Sequence, residues 1–163
     1  MKFSVVQKFD FPLELVLKAR EERYNLIPEL KKPDVFEKTS QGNVIRTKRR
    51  FTAAGTLPKS LKKFIPVETM EFIDHSTWDA GAGVHRWKIV SVKYEKTIRW
   101  QGTTRYEEHE ESGGKKTRRI MEGEISVNIP FVGRQLEKIM ADGFKNNFEK
   151  DYRTIVEAAE KMS

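Results

Sequence analysis

The 163 residues contain no cysteine, which removes disulfides, thiol nucleophiles and thiolate metal ligands from consideration. No apolar run comes near the ~20 residues that a membrane-spanning helix requires. The opening Met1-Lys2-Phe3-Ser4-Val5-Val6-Gln7-Lys8 lacks the apolar stretch of a signal peptide, so a cytoplasmic location is expected. Glycine-rich phosphate loops of the Gly-x-x-x-x-Gly-Lys kind, nucleophile elbows and zinc-finger spacings are missing too. So are repeats of about 20–50 residues, low-complexity tracts and linkers. The length suits one domain over residues 1–163.

One absence is local. Between Glu37 and Glu68 the 30 intervening positions hold no acid, but they carry Lys38, Arg46, Lys48, Arg49, Arg50, Lys59, Lys62 and Lys63. Residues 1–66 have 15 Lys/Arg against 7 Asp/Glu, a balance of +8, and the remainder is close to neutral within a total of +7. Such a block is either a solvated face or a surface for an anionic partner. Nucleic acid is disfavoured, because no basic helix with groove-reading spacing and no aromatic RNA-binding signature accompanies the charge. Hydrophobic residues are 37% and charged residues 34%, respectively below and above the usual ~45–50% and ~25%. Even so, 10 Phe, 4 Tyr and 3 Trp argue for a packed core.

Periodicity assigns the elements. Lys2 to Phe9 mostly alternates and reads as a strand with Phe3 and Val5 on one face. A helix follows Pro12, with Asp10 as its expected cap and Leu13, Val16, Leu17 and Tyr24 as its stripe through about Arg23. Asn25 to Leu30 is expected to break it into a second short helical turn. Strands are then predicted at Val35–Thr39, Asn43–Ala53, Val67–Trp78, Val84–Tyr94, Thr97–Glu111 and Lys115–Ile129. From Phe131 onward Val132, Leu136, Ile139, Met140, Phe144, Phe148, Tyr152, Ile155, Ala159 and Met162 recur at helical steps. If Ser112-Gly113-Gly114 is a hairpin loop, Glu111 faces Lys115, Glu110 faces Lys116, Glu108 faces Arg118 and Glu107 faces Arg119. Each opposite-charge pair is worth about 0.2–1 kcal/mol, so this stretch reads as register specification. On that register Tyr106 and Ile120 share a face while Ile125, Val127 and Ile129 fall out of phase. A bulge within two residues of Gly123 would restore the pattern.

Consecutive strands with helices at the ends give an α+β protein. A curved antiparallel sheet of about seven strands would wrap around the long C-terminal helix, with one split or two short helices after the first strand. That helix, about 30 residues or roughly 45 Å, is the element long enough to cover the concave face.

This order of elements resembles the START-like, helix-grip superfamily, which includes pollen-allergen-type ligand carriers and polyketide cyclases. The segment Gly55-Thr56-Leu57-Pro58-Lys59-Ser60-Leu61-Lys62-Lys63-Phe64-Ile65-Pro66, followed by Val67-Glu68-Thr69-Met70-Glu71-Phe72, is similar to a bacterial START-like family of unknown function. More distantly it is similar to PRELI-type phospholipid-transfer domains. The resemblance implies a cavity between sheet and helix for a hydrophobic small molecule or lipid.

Met70, Phe72, Trp87, Ile89, Ile98, Trp100 and Tyr106 on the strands, with Leu136, Met140 and Phe144 on the helix, either wall that cavity or pack against one another. Gly143 leaves room for a ligand or a close strand. Leu57 to Pro66 pairs an apolar face with Lys59, Lys62 and Lys63, which suits either a lid or transient contact with an anionic membrane. Arg46, Lys48 and Arg50 alternate with Ile45, Thr47, Arg49 and Phe51, so three cations share a strand face. They are expected to face solvent, with Arg46 or Arg50 open to a role at the cavity mouth as a head-group ligand. His75 and His85, near Asp74 and Asp79, lack convergent ligand spacing. No catalytic residue, metal ligand or cofactor is therefore assigned. A cyclase or dehydratase of this fold and a protein-binding module remain the alternative functions.

Overall fold

The computed structural model describes residues 1–54, 61 and 69–163. Its strands are β1 (Lys2–Phe9), β2 (Asp34–Gln41), β3 (Val44–Ala54), β4 (Thr69–Asp79), β5 (Val84–Ser91), β6 (Ile98–Glu111) and β7 (Gly114–Val127). Helix α1 (Leu13–Leu26) follows β1, and helix α2 (Gly133–Met162) follows β7. The strands form one antiparallel sheet in the order β1-β7-β6-β5-β4-β3-β2. This is the α+β helix-grip arrangement, a curved sheet with a long C-terminal helix.

Local chemistry explains the differences from expectation. Asp10 does not cap α1: Pro12 precedes the first turn in extended geometry, and the Leu13 N–H donates to Glu108 Oε2 of β6 at 2.9 Å. After Leu26 the chain makes a turn rather than a second helix. Pro28 holds Ile27 extended, and the Leu30 N–H donates to Ile27 O at 3.1 Å. Helix α2 begins at Gly133, because Phe131 takes a positive φ of 70° and stands fully exposed between β7 and the helix.

The β6–β7 hairpin is one residue tighter than the charge pattern implied. Gly113 and Gly114 both adopt positive φ, 112° and 120°, which lets a two-residue loop close. Glu111 therefore pairs with Gly114, Glu110 with Lys115, Glu108 with Thr117 and Glu107 with Arg118. The Arg118 guanidinium still reaches Glu107 at 2.7 Å, so opposite charges do specify the register, through a different set. The shift puts Arg119 opposite Tyr106 and removes the need for a bulge. Pairing runs unbroken past Gly123 on both sides of β7; β2 is irregular instead, between Val35 and Glu37.

On the inner face of β7 the row is Thr117, Arg119, Met121, Gly123, Ile125 and Val127, in constant phase. Ile120 is on the other face. Gly102 and Gly123 face each other across the pair, and a Cβ on Gly102 would overlap the Trp87 ring and the Glu122 carbonyl oxygen. The two glycines let aromatic rings lie flat on the sheet.

Among the described residues the core forms two apolar clusters. One gathers Phe3, Phe72, Trp87, Ile89, Trp100, Met121, Ile125 and Leu136, with Leu61 also buried in it. The other joins Phe9, Val16, Ala19 and Tyr106 to Ile155, Ala158 and Ala159 of α2. Along β1, β7 and α2 a polar residue stands between them: Gln7 between Val5 and Phe9, Arg119 below Met121, Asp151 between Phe148 and Ile155.

Candidate functional site

The polar layer is a bonded network. Arg119, with 1% of its surface exposed, donates from Nη1 to Asp151 Oδ2 at 2.7 Å and from Nε to Gln7 Oε1 at 2.9 Å. Its guanidinium lies 3.9 Å from the ring centre of Phe148. Gln7 donates in turn to the Phe148 carbonyl at 3.3 Å. From α1, Arg23 pairs with the other oxygen of Asp151 and donates to Tyr24 Oη at 2.9 Å. Burial alone would push the Asp151 carboxyl up, but the Arg23 and Arg119 charges and their hydrogen bonds outweigh it and hold it below the usual carboxylate range. Burial pulls Arg23 down, and Asp151 followed by Tyr24 more than offsets this.

Against this network lies a half-open cavity of about 550 Å³ bounded by α1, the inner sheet face and α2. Trp87, Ile89, Thr104, Tyr106 and Arg119 form its buried wall, and Glu21, Val35 and Lys38 are exposed on its open side. Thr104 Oγ1 accepts from Trp87 Nε1 at 3.3 Å. Trp87 stacks on Phe144 of α2 with ring centres 5.0 Å apart, and Phe148 and Asn147 complete the helix side. Farther along the sheet are Thr47 and Arg49 of β3, Asp74, Ser76 and Trp78 of β4, and His85 of β5. The cavity is therefore aromatic on one side and ionic on the other.

Of the residues read as cavity candidates, Trp87, Ile89, Tyr106 and Phe144 line this space. Phe72, Ile98, Trp100 and Leu136 are buried in the adjoining apolar cluster, with Met70 and Met140 packed against it. Arg46, Lys48 and Arg50 share the face of β3 that turns away from the cavity, where Lys48 pairs with Glu37 and Arg50 with Glu71, each at 2.9 Å. The β3 cation on the cavity side is Arg49. Lys59, Lys62 and Lys63, and the lid reading of Leu57 to Pro66 apart from Leu61, lie outside the described residues. Gly143 makes room for nothing inside: it is exposed, and a Cβ there would meet open space. His75 is exposed and His85 lines the cavity, so the sheet separates the two.

Sequence reading gave no site role to Arg20, Arg23, Arg119 and Asp151, and weighed Asp74 only as a carboxylate near the histidines. For Arg49 and Arg119 a signal existed, since each alternates in phase with inward apolar residues: Arg49 with Ile45 and Phe51, Arg119 with Met121 and Ile125.

Several solved structures share the fold over the full chain. TTHA0849 from Thermus thermophilus superposes with a TM-score of 0.64 at 18% identity, covering 100% of this chain and 99% of its own. Ara h 8.0201 gives 0.54 at 13% identity, covering 99% and 98%. An uncharacterized protein from Rhizobium leguminosarum gives 0.54 at 12% identity, covering 99% and 96%. At these identities the likenesses show a shared fold. No curated protein matches the sequence. Residues 6–158 match a family described as a protein of unknown function, DUF2505, and with nearly the whole chain spanned the protein belongs to that family.

Proposed function

We propose that the protein binds and carries an amphipathic, largely hydrophobic small molecule, of lipid type, in the cavity between sheet and α2. The observation that carries this reading is the roughly 550 Å³ space whose walls combine Trp78, Trp87, Tyr106 and Phe144 with polar groups already fixed by Asp74 and Asp151. Its volume falls within the ~300–1,000 Å³ of small-molecule sites, which typically join an apolar lining to a few placed polar groups. The helix-grip fold supports the reading, since it sets a long helix across a concave sheet. Native mass spectrometry of the purified protein, followed by denaturing extraction, tests it. A lipid-sized adduct that leaves on denaturation is expected. A clean 19.0 kDa species that also binds no added single-chain amphiphile would overturn it.

A further inference from the structure

The cations around the cavity are not equally engaged. Arg23 and Arg119 are bound to Asp151. Arg49 spends only Nε, on Asp74 Oδ2 at 2.9 Å, and Ser76 Oγ donates to the other oxygen of that buried carboxylate at 2.9 Å. Asp74 is thereby satisfied, and the two Nη groups of Arg49 make no hydrogen bond among the described residues. Arg20 of α1 has no acidic partner among the described residues. Its guanidinium is held 5.3 Å from the ring of Trp78 and 5.7 Å from that of Tyr106, two rings that meet edge-on. Stacking of this kind orients a guanidinium while leaving its N–H groups free to donate.

His85 lies on the strand between Trp78 and Thr104 and lines the same end of the cavity. Burial, then the charges of Arg20 and Arg49, lower its pKa to about 3, so the ring is neutral near pH 7 and offers one N–H. The positive field of both arginines thus converges on one imidazole. Among the described residues lining the cavity, Arg20, Arg23, Lys38, Arg49 and Arg119 face only Glu21, Asp74 and Asp151.

We infer that the end of the cavity lined by Arg20, Arg49 and His85 takes the oxyanion head, carboxylate or phosphate, of an amphipathic ligand whose tail lies along Trp87, Ile89 and Phe144. This rests on the carrier reading and adds head-group selection to it. The forked donors of Arg49 suit a planar or tetrahedral oxyanion, and Arg20, held over Trp78 and without an acidic partner among the described residues, adds a second cation lining the cavity.

Dodecanoate, dodecyl phosphate, dodecanol and inorganic phosphate, each titrated below any micelle concentration against tryptophan fluorescence, separate the possibilities. The two anionic amphiphiles should bind at least about tenfold more tightly than dodecanol, as expected for one additional charge-assisted contact. Arg20→Gln should reduce that preference severalfold, the anionic amphiphiles losing more affinity than dodecanol does. Arg49→Lys, which keeps a cation beside Asp74 and so protects folding, should do the same. If dodecanol and the anions bind equally, or if both variants retain the preference, the inference is wrong while the carrier reading stands. Inorganic phosphate binding as well as dodecyl phosphate would replace it with a free-anion site. Failure of every amphiphile to bind would overturn the carrier reading itself.

Discussion

At the residue scale the largest stake is Asp151. It is the acidic partner shared by two guanidiniums that are themselves almost wholly buried. Removing one member of a buried ion network strands the others, at a cost of about 3–5 kcal/mol. Asp151→Asn should therefore lower stability by that order in urea denaturation, whereas removal of the exposed pair partner Glu37 should cost under about 1 kcal/mol. His85 sets a pH dependence of its own. Its pKa is depressed in the folded state, from 6.5 to about 3, so the unfolded chain binds the proton more readily. Stability should be full above pH 6.5 and decline as pH falls through the window between those values. Asp151, also depressed, loses its contribution only below the ordinary carboxylate value of 3.8. The drop in Tm between about pH 7 and about pH 4.5 should accordingly be smaller in His85→Gln than in the parent protein.

At the scale of elements, most of the architecture could be read from alternation and helical steps. The seven strands and the stripe of α2 come from apolar residues repeating at periods that the backbone imposes. Register was less legible, because it depended on two adjacent glycines adopting positive φ and shortening the hairpin by a residue. The ionic half of the site was least legible. Gln7, Asp74, Thr104 and Arg119 occupy core-facing positions, and period-two reasoning assigns polar side chains to solvent unless their partners are known. Those partners lie as much as 142 residues away, as in Gln7 with Glu149. Two substitutions test element-level packing. Gly143→Ala fills only open space on an exposed helical face and should stabilise by about 1 kcal/mol, raising Tm by about 2–4 °C. Gly102→Ala places a methyl into the Trp87 ring. It should destabilise and shift the tryptophan emission, because the ring must leave the sheet.

Across the whole molecule, charge is divided between two sides of one sheet. On β3 the outward Arg46, Lys48 and Arg50 alternate with the inward Arg49, so a single strand serves solvent and cavity at once. Two of the outward cations are neutralised by Glu37 and Glu71. Cosedimentation with anionic vesicles should consequently be weak at low salt and vanish near physiological ionic strength, where screening acts within about 8 Å. No helix among the described residues is long and apolar enough to cross a membrane.

The ionic layer that splits the core also fixes where α2 can rest. An apolar helix on an apolar sheet could slide by one turn, about 5.4 Å, and still bury a similar area. Here such a slip would bring Asn147 or Ile155 to the place of Asp151 and leave Arg23 and Arg119 facing an amide or a hydrocarbon. The helix thus has a single berth along the sheet, and the depth of the ligand chamber is gauged by two guanidiniums and one carboxylate rather than by hydrophobic fit.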